Sequence, residues 1–272
     1  MAESPSSRES RRPTGTFHNR LAGKRALVTG STRGLGRTTA EWLAREGASV
    51  FVHGRKQEDV DRTIEEIRAL GVEVWGAPAD LSSVEATHEL ATTALEMAGP
   101  VDILVNNAGM SIGQHFTEVS DAQWDEQVNT NMRAPFILSQ HLSRAMIANG
   151  IRGRIVNIST IGVYAAHKQT MVYDMAKGGI QAMTRAMAFE LGRHGINANC
   201  IAPGAVVDRP GAEQEGDSPV ARIWNEKIPV GRLGRAEDIA ATVIFFCLPE
   251  TEWITGQTLL VDGGHISYLR ED

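Results

Sequence analysis

The sequence predicts an α/β protein built on one parallel β-sheet with helices on both faces. From Lys24 onward, short apolar runs alternate with segments whose apolar residues recur at helical spacing. The apolar runs lack polar alternation, which is typical of strands covered on both faces. The chain has 272 residues, 42% of them hydrophobic, and shows no internal repeat or linker after residue 20. We therefore expect a single domain at 21–272.

Residues 1–20 differ in composition from the rest of the chain. They are rich in Ser, Arg, Pro and Thr and contain few large apolar residues, which predicts a disordered extension. The extension lacks the apolar core of a signal peptide, and Glu3 and Glu9 weigh against a transit peptide. We expect a cytoplasmic protein.

Composition also restricts the partners and the redox state. The net charge is −6 and the pI about 5.8, which argues against nucleic acid or an anionic membrane surface as partner. The sequence contains no run of 18 apolar residues, so we expect no transmembrane helix. Cys200 and Cys247 lie in apolar runs, so we expect reduced, buried thiols and no metal site.

The order of elements follows from the pattern. Seven strands are predicted, at 25–29, 49–53, 72–77, 101–105, 154–158, 196–201 and 258–261. Helices are predicted at 35–46, 59–70, 83–98, 120–149, from Tyr173 onward, and at 236–248. Ser82 or Ser83 and Ser120 are expected to cap two of these helices, and Gly192 to end the Tyr173 helix. The poorly patterned segment at 205–230, acidic in its middle, is expected to cover the substrate.

Tyr173 and Lys177 are four residues apart in a helical pattern, so both side chains lie on one helix face. A nearby ammonium favours phenolate, so Tyr173 is a candidate acid/base whose pKa is lowered by Lys177. Tyr164 and Lys168 form a second pair with the same spacing, and surface helices often carry such pairs. The spacing alone therefore does not choose between the two tyrosines.

A glycine-rich turn lies between the first strand and the first helix. Gly30, Gly34 and Gly36 would let the backbone turn sharply and approach a pyrophosphate at the helix N-terminus. The alternative is a tight strand–helix turn without a ligand.

Several motifs occur together in one order. They are Thr29-Gly-Ser-Thr-Arg-Gly-Leu-Gly36, Asp80-Leu81, Asn106-Asn-Ala-Gly109, Asn131 within Asn129-Thr-Asn-Met132, Tyr173-x-x-x-Lys177, Pro203-Gly204 and Val261-Asp-Gly-Gly264. On these motifs the chain resembles the short-chain dehydrogenase/reductase family, from about residue 21 to Gly264. The members it resembles include 3-oxoacyl-carrier-protein reductases and sugar dehydrogenases. The resemblance implies a doubly wound Rossmann sheet, a nicotinamide coenzyme, carbonyl/alcohol chemistry and a homo-oligomer, either a dimer or a tetramer.

The resemblance also assigns residues. It implies that the coenzyme contacts Gly30, Ser31, Arg33, Gly34, Leu35, Gly36, Arg55, Asp80, Leu81, Asn107, Ala108, Gly109, Tyr173, Lys177, Pro203, Gly204 and Val206. It implies catalytic roles for Asn131, Thr160, Tyr173 and Lys177, in which Asn131 holds a water of a proton relay and Lys177 holds the nicotinamide ribose.

In the family, the catalytic Tyr lies thirteen residues after a hydroxyl residue that closes the fifth strand. Tyr173 lies thirteen residues after Thr160, whereas Tyr164 lies only four after it, in a segment without helical continuation. This favours Tyr173 and leaves Tyr164 as a loop residue, together with His167 and Lys168. The family usually carries Ser-Ser at the end of this strand, but here the pair is Ser159-Thr160. Thr160 keeps the hydroxyl and adds a methyl group.

Charge near the second strand bears on coenzyme choice. Where members that prefer NAD carry an acidic residue, this chain has Gly54 followed by Arg55, and Arg33 lies in the glycine-rich loop. Paired arginines suit a 2′-phosphate. The alternative is that Arg55 is a solvated loop charge. We expect NADP(H) to be preferred and NAD(H) to be possible.

These observations predict an NADP(H)-dependent oxidoreductase that acts on a small-molecule carbonyl or secondary alcohol. The alternatives are a sugar or polyol dehydrogenase, a 3-oxoacyl thioester reductase, or a non-catalytic nucleotide-binding protein of the same fold.

Overall fold

A computed structural model describes residues 18–207 and 226–266. The strands are β1 Arg25–Val28, β2 Ser49–Gly54, β3 Val74–Pro78, β4 Ile103–Asn106, β5 Arg154–Ile158, β6 Asn197–Pro203, β7 Val206–Val207, β8 Gly234–Arg235 and β9 Thr258–Val261. The helices are α1 Gly34–Arg45, α2 Gln57–Arg68, α3 Val84–Ala98, α4 Asp121–Val128, α5 Ala134–Ala148, α6 Met171–Leu191 and α7 Ala236–Cys247.

Seven strands form one parallel sheet in the order β3-β2-β1-β4-β5-β6-β9, and β7 pairs with β8 in a separate short ladder. The order reverses between β1 and β4, which are neighbours in the sheet. The predicted doubly wound parallel fold is therefore confirmed. In such sheets, ligands bind at the carboxyl ends of the strands near the reversal.

Both faces of the sheet are buried, which explains the unbroken apolar runs. Along β1, Ala26 and Val28 pack into one core, and Leu27 packs into the other. The first core includes residues from α1, α2 and α7, and the second includes residues from α3 and α5. Cys200 and Cys247 are buried free thiols, as expected.

Local signals placed several helix ends correctly. The Ser83 side chain caps α3 by accepting from the Ala86 backbone N–H, and Ser120 forms a capping box with Gln123 at the start of α4. The Tyr173 helix, α6, ends at Leu191, and Gly192 follows it as predicted.

The predicted helix at 120–149 is continuous from Asp121 to Ala148, but it is not α-helical throughout. It is α4, a π-helical segment at Asn129–Arg133, and α5. The π turn contains Asn131, and such turns are often found at functional sites. The predictions for residues 1–17 and 208–225 lie outside the described residues.

Candidate active site

In the glycine-rich loop after β1, the glycine positions do not accommodate larger residues. Gly30 and Gly34 have φ values of +64° and +55°, which favour glycine. A Cβ on Gly36 would overlap the Gly30 carbonyl oxygen and the Asn107 amide, and a Cβ on Gly30 would lie 3.1 Å from the Ala108 Cα. The loop therefore packs directly against the segment after β4.

The N-terminus of α1 is suited to an anion. Its N-cap residue, Arg33, makes no side-chain capping bond, and the first turn carries no acidic residue. By contrast, α3 and α4 each begin with a serine cap and an acidic residue in the first turn. The first N–H groups of a helix have no partner inside the helix, so α1 offers donors and a positive dipole end to a phosphate. This arrangement fits the pyrophosphate of a dinucleotide.

Thr29 links β1 to the loop after β4. Its hydroxyl oxygen accepts from the backbone N–H groups of Asn107 and Ala108, both at 3.0 Å. The Asn107 side-chain amide in turn donates to the Thr29 carbonyl at 2.9 Å. These bonds fix the two predicted coenzyme segments at the same edge of the sheet.

His53 is a further residue at this edge that the sequence did not indicate. Its Nδ1 accepts from the Gly30 N–H at 3.0 Å, so Nε2 carries the proton and donates to the Ala79 carbonyl at 3.1 Å. Its backbone N–H also donates to the Ser31 hydroxyl at 2.9 Å. Burial lowers the pKa of His53 to about 4, which keeps the ring neutral. Neutral His53 therefore holds the glycine-rich loop against the segment after β3.

The residues expected to determine the preference between NADP(H) and NAD(H) lie around the end of β2. Arg33 and Arg55 are both exposed. A Cβ on Gly54 would lie 2.5 Å from the Thr32 Cγ2, so an acidic side chain there would require Thr32 to move. The pKa of Asp80 is lowered, chiefly by hydrogen bonds from the Ser82 backbone and hydroxyl, and the charge of Arg55 adds to this. Asp80 is therefore an acidic group that acts on Arg55 in the fold, although it is not near Arg55 in the sequence.

The remaining coenzyme residues follow other strands at the same end of the sheet. Leu81 is buried after β3. Pro203 ends β6, and the Gly204 N–H donates to the Val261 carbonyl at 3.0 Å. A Cβ on Gly204 would lie 2.8 Å from the Asp262 Cα, and Val206 pairs with Gly234 in the short ladder. The predicted residues are therefore distributed along one edge of the sheet.

Tyr173 and Lys177 occupy one face of α6, near its start. Lys177 is fully buried, and its Nζ donates to the Ile158 carbonyl at 2.8 Å and lies 5.8 Å from the centre of the Tyr173 ring. A Cβ on Gly109 would lie 3.2 Å from the Lys177 Nζ and 2.9 Å from the Asn131 Oδ1. Thus α6, the π turn and the segment after β4 meet at Gly109.

The pKa of Tyr173 differs from the sequence prediction. Burial, with the charge of Asp174 as a second cause, raises the pKa of Tyr173 to about 12, whereas a lowered pKa was expected. Burial also lowers the pKa of Lys177 to about 8. Desolvation of the phenolate outweighs the attraction of the neighbouring ammonium. In this structure Tyr173 keeps its proton at neutral pH.

The two hydroxyls at the end of β5 point to different partners. Ser159 donates to the Lys177 carbonyl at 3.0 Å and accepts from Gln181 at 3.1 Å, so its hydroxyl is committed to α6. The Thr160 oxygen accepts from the Gly162 N–H at 3.1 Å. Among the described residues, no group accepts the Thr160 proton, which leaves that proton for an external oxygen.

The Asn131 side chain is bonded to the protein through both Oδ1 and Nδ2. Its Oδ1 accepts from the Met110 N–H at 3.1 Å, and its Nδ2 donates to the carbonyls of Met110 at 2.7 Å and Gln127 at 2.8 Å. The amide therefore fixes the segment after β4 to the π turn. Both Nδ2 hydrogens are used, but Oδ1 has accepted only one of two bonds, so the water-holding role that the resemblance implies stays a prediction.

The second tyrosine lies in a loop. Tyr164 follows a 3₁₀ turn at Ile161–Val163, is half exposed, and donates to the Gln181 side chain at 2.9 Å. Lys168 lies in the same segment, which does not continue as a helix.

Within residues 18–207 and 226–266, no helix is long and apolar enough to cross a membrane, and no three His, Cys, Asp or Glu side chains form a metal-binding group.

The fold and this site define a dinucleotide-binding protein of the Rossmann class. Comparison with known proteins then gives the family: residues 30–265 match the family described as enoyl-(acyl carrier protein) reductase. The chain belongs to the short-chain dehydrogenase/reductase family and is an oxidoreductase that acts on CH–OH groups.

The chain is similar to characterised relatives over most of its length. It is 38% identical to L-xylulose reductase of Mesocricetus auratus, over 90% of this chain and 98% of that protein. It is 35% identical to gluconate 5-dehydrogenase of Gluconobacter oxydans, over 90% and 95% of the two chains. A crystal structure of a gluconate 5-dehydrogenase from Burkholderia cenocepacia, in complex with NADP and tartrate, superposes with a TM-score of 0.85 at 30% identity, over 92% of this chain and 99% of that one.

Proposed function

We propose that this protein is an NADP(H)-dependent oxidoreductase that interconverts a ketone and a secondary alcohol on a small polyhydroxylated substrate, with Tyr173 as the acid/base. The observation that supports it most is the position of Lys177, which lies beside Gly109 and is bonded to the end of β5, the strand that Thr160 follows by two residues. Tyr173 lies one helical turn from Lys177, and the Thr160 proton has no acceptor among the described residues.

Each residue has a distinct part in this proposal. NADPH, when bound, supplies the hydride. Tyr173 donates its proton to the carbonyl oxygen, and Thr160 donates a hydrogen bond to the same oxygen as negative charge develops on it. Lys177, held by the Ile158 carbonyl, presents its remaining protons to the coenzyme ribose, and its charge lies 5.8 Å from the centre of the Tyr173 ring. Asn131 keeps Met110 and the preceding coenzyme segment in place through its amide.

The preferred direction at neutral pH follows from the acid/base group. A phenol with a pKa near 12 is protonated at neutral pH, which suits donation to a carbonyl and hence reduction. Oxidation needs phenolate, so its rate should rise with pH. The coenzyme preference rests on the exposed Arg33 and Arg55 and on the lack of space for an acid at Gly54. Bound NADP in similar structures supports it.

The relatives support a sugar, polyol or sugar acid as substrate, because the names of two of them specify L-xylulose and gluconate. A second class is a coenzyme A thioester. A relative from Thauera aromatica, 38% identical over 88% of this chain and 95% of its own length, is named as subunit BbsD of a succinyl-CoA-type dehydrogenase.

The proposal is tested by following nicotinamide absorbance with a panel of ketoses, sugar acids, polyols and 3-oxoacyl thioesters, each with NADPH or NADH and its oxidised form. Tyr173→Phe serves as the inactive control. We expect turnover of a polyhydroxylated substrate and a preference for the phosphorylated coenzyme. Turnover of thioesters alone would reject the substrate class, and a preference for NADH would reject the coenzyme assignment.

We further propose a cytoplasmic homo-oligomer. Helices α5 and α6 each expose large apolar side chains, including Phe136 at 50% and Phe189 at 89% exposure. Such side chains lose contact with water in an interface. Analytical ultracentrifugation at micromolar concentration checks this: a monomer would contradict it.

A further inference from the structure

Asp174 is a buried carboxylate that follows the proposed acid/base directly in the chain. Only 13% of its side chain is exposed. One oxygen, Oδ2, accepts from the Thr170 hydroxyl at 2.7 Å. The other, Oδ1, is buried without a hydrogen-bond partner among the described residues, and the His167 Nδ1 lies 3.7 Å away. A buried carboxylate oxygen without a partner is costly and calls for an explanation.

The loop after β5 closes over this carboxylate. A Cβ on Gly162 would overlap the Asp174 Oδ1 and lie 2.6 Å from the His167 Nδ1. Only the absence of a side chain at position 162 therefore lets the loop pack directly on the carboxylate. The same loop begins at Thr160, so Asp174 lies beneath the segment that carries the proposed substrate-binding hydroxyl.

Asp174 does not cap its helix, which removes the simplest structural explanation. Thr170 is the N-cap residue of α6, and the helix start has no side-chain capping bond. The carboxylate lies in the first turn, where the helix dipole favours negative charge, but this does not require its oxygen to be hidden from water. Because the Asp174 carboxylate is mostly buried under Gly162 and His167, water screens its charge less than it would at the surface.

The group that experiences this charge is Tyr173. On α6, Asp174 follows the phenol directly in the chain and the Lys177 Nζ lies 5.8 Å from the centre of its ring, while His167 faces Asp174 from the loop. The Asp174 charge and burial act in the same direction on the pKa of Tyr173, and both oppose loss of the phenolic proton. Lys177 acts in the opposite direction but donates to the Ile158 carbonyl.

We propose that Asp174, sealed beneath Gly162 and His167, is a positioning residue whose negative charge sets the pH range in which Tyr173 gives up and recovers its proton. This rests on the proposed role of Tyr173 as acid/base. The carboxylate keeps the phenol protonated to higher pH and so favours the reductive direction. His167 shields the carboxylate from water and thereby maintains its effect.

Asp174→Asn is the direct test, because the amide oxygen still accepts from Thr170 while the charge is lost. The pH dependence of kcat/KM for alcohol oxidation should shift to lower pH by roughly half a unit or more, since a neighbouring charge moves pKa values by such amounts. The reductive profile should move in the same direction. Glu190→Gln is the matched control, because it removes a negative charge from an exposed position at the far end of α6 and should leave both profiles unchanged.

His167→Ala provides a second, independent variant. It exposes the Asp174 carboxylate to water, which screens its charge, so the profile should shift in the same direction as for Asp174→Asn but by less. This variant keeps the proposal testable if Asp174→Asn folds poorly. Unchanged profiles in both folded variants, or equal shifts for Asp174→Asn and Glu190→Gln, would overturn the proposal.

A spectroscopic measurement separates this inference from the proposed substrate. The chain has three tyrosines, so the tyrosinate absorbance of the protein minus that of Tyr173→Phe isolates Tyr173 during a pH titration. The same difference, measured in the Asp174→Asn background, should titrate at lower pH. This readout requires no substrate. A shifted titration without turnover would reject the proposed function alone, and turnover without any shift would reject the role of Asp174 alone.

Discussion

The two halves of the site differ in how their polar groups are satisfied. At the coenzyme end, the side chains of Thr29, His53 and Asn107 are hydrogen-bonded to backbone groups of neighbouring segments. These bonds hold the glycine-rich loop in place. At the catalytic end, the described residues provide no partner for the Tyr173 hydroxyl and no acceptor for the Thr160 proton. The first region is fixed by its own hydrogen bonds, whereas the second contains groups whose partners must come from elsewhere.

This difference indicates that one end of the site serves coenzyme binding and the other serves the chemical step. A preformed coenzyme end lowers the cost of ordering the chain when a dinucleotide binds. Groups that remain available at the catalytic end can bond to the reacting oxygen, where they stabilise charge that develops only in the transition state. Substitutions at the two ends should therefore affect different measured quantities.

Tyr173→Phe should give the largest effect. It removes the proton donor but no hydrogen bond within the described residues, so kcat should fall by about 10²–10⁴ while NADPH affinity and stability stay near those of the wild type. Tyr164→Phe is the control, because the hydrogen bond that its hydroxyl makes within the described part of the chain goes to Gln181. Steady-state kinetics and NADPH fluorescence titration measure both variants. Loss of activity in Tyr164→Phe alone would show that the wrong tyrosine has been chosen.

Thr160→Val should reduce kcat/KM by about 10²–10³, the usual cost of one donor to a developing oxyanion. Thr160→Ser should remain active. Ser159→Ala breaks bonds to α6 instead, so it should lower stability by about 1 kcal/mol and change activity little. If kcat/KM fell strongly in Ser159→Ala and stayed near the wild-type value in Thr160→Val, the catalytic hydroxyl would be that of Ser159.

Arg55→Ser tests the coenzyme end. Loss of one charge-assisted contact of about 1.5–3 kcal/mol should weaken NADPH binding about 10–100-fold, while NADH binding changes little. Lys56→Ser removes an adjacent exposed charge and serves as the control. If Arg55→Ser weakened the binding of NADPH and NADH equally, the proposed contact between Arg55 and the 2′-phosphate would be contradicted.

His53 should make the coenzyme end sensitive to acid. Its folded pKa of about 4 lies below the unfolded value of 6.5, so the stability that it contributes is present above pH 6.5 and is lost as pH falls towards 4. Between pH 7 and 4.5 this amounts to about 2 kcal/mol. His53→Asn keeps an acceptor near the Gly30 N–H but does not titrate. Urea unfolding at both pH values should therefore show a smaller loss for the variant, and equal losses would contradict the assignment.

Sequence patterns located most of the fold because buried parallel strands and amphipathic helices carry strong periodic signals. The choice of Tyr173 over Tyr164 came from the family resemblance, which supplies the thirteen-residue spacing from Thr160, and it stays a prediction. The π turn at Asn129–Arg133 was missed because one extra residue in a helix barely changes its apolar pattern. His53 was missed because its side-chain partners lie 23 and 26 residues away, and the pKa of Tyr173 because it depends on burial.

A crystal structure of the NADPH complex tests the contrast between the two ends most directly. If the coenzyme end is preformed, the backbone of residues 29–36, 53 and 107–109 should superpose on the present structure within about 1 Å, as in other preorganised complexes. The Tyr173 hydroxyl should remain unbonded to protein side chains and should lie at a hydrogen-bonding distance of about 2.7 Å from a ligand oxygen or a water. A rearranged glycine-rich loop, or a Tyr173 hydroxyl bonded to a protein side chain, would contradict the account.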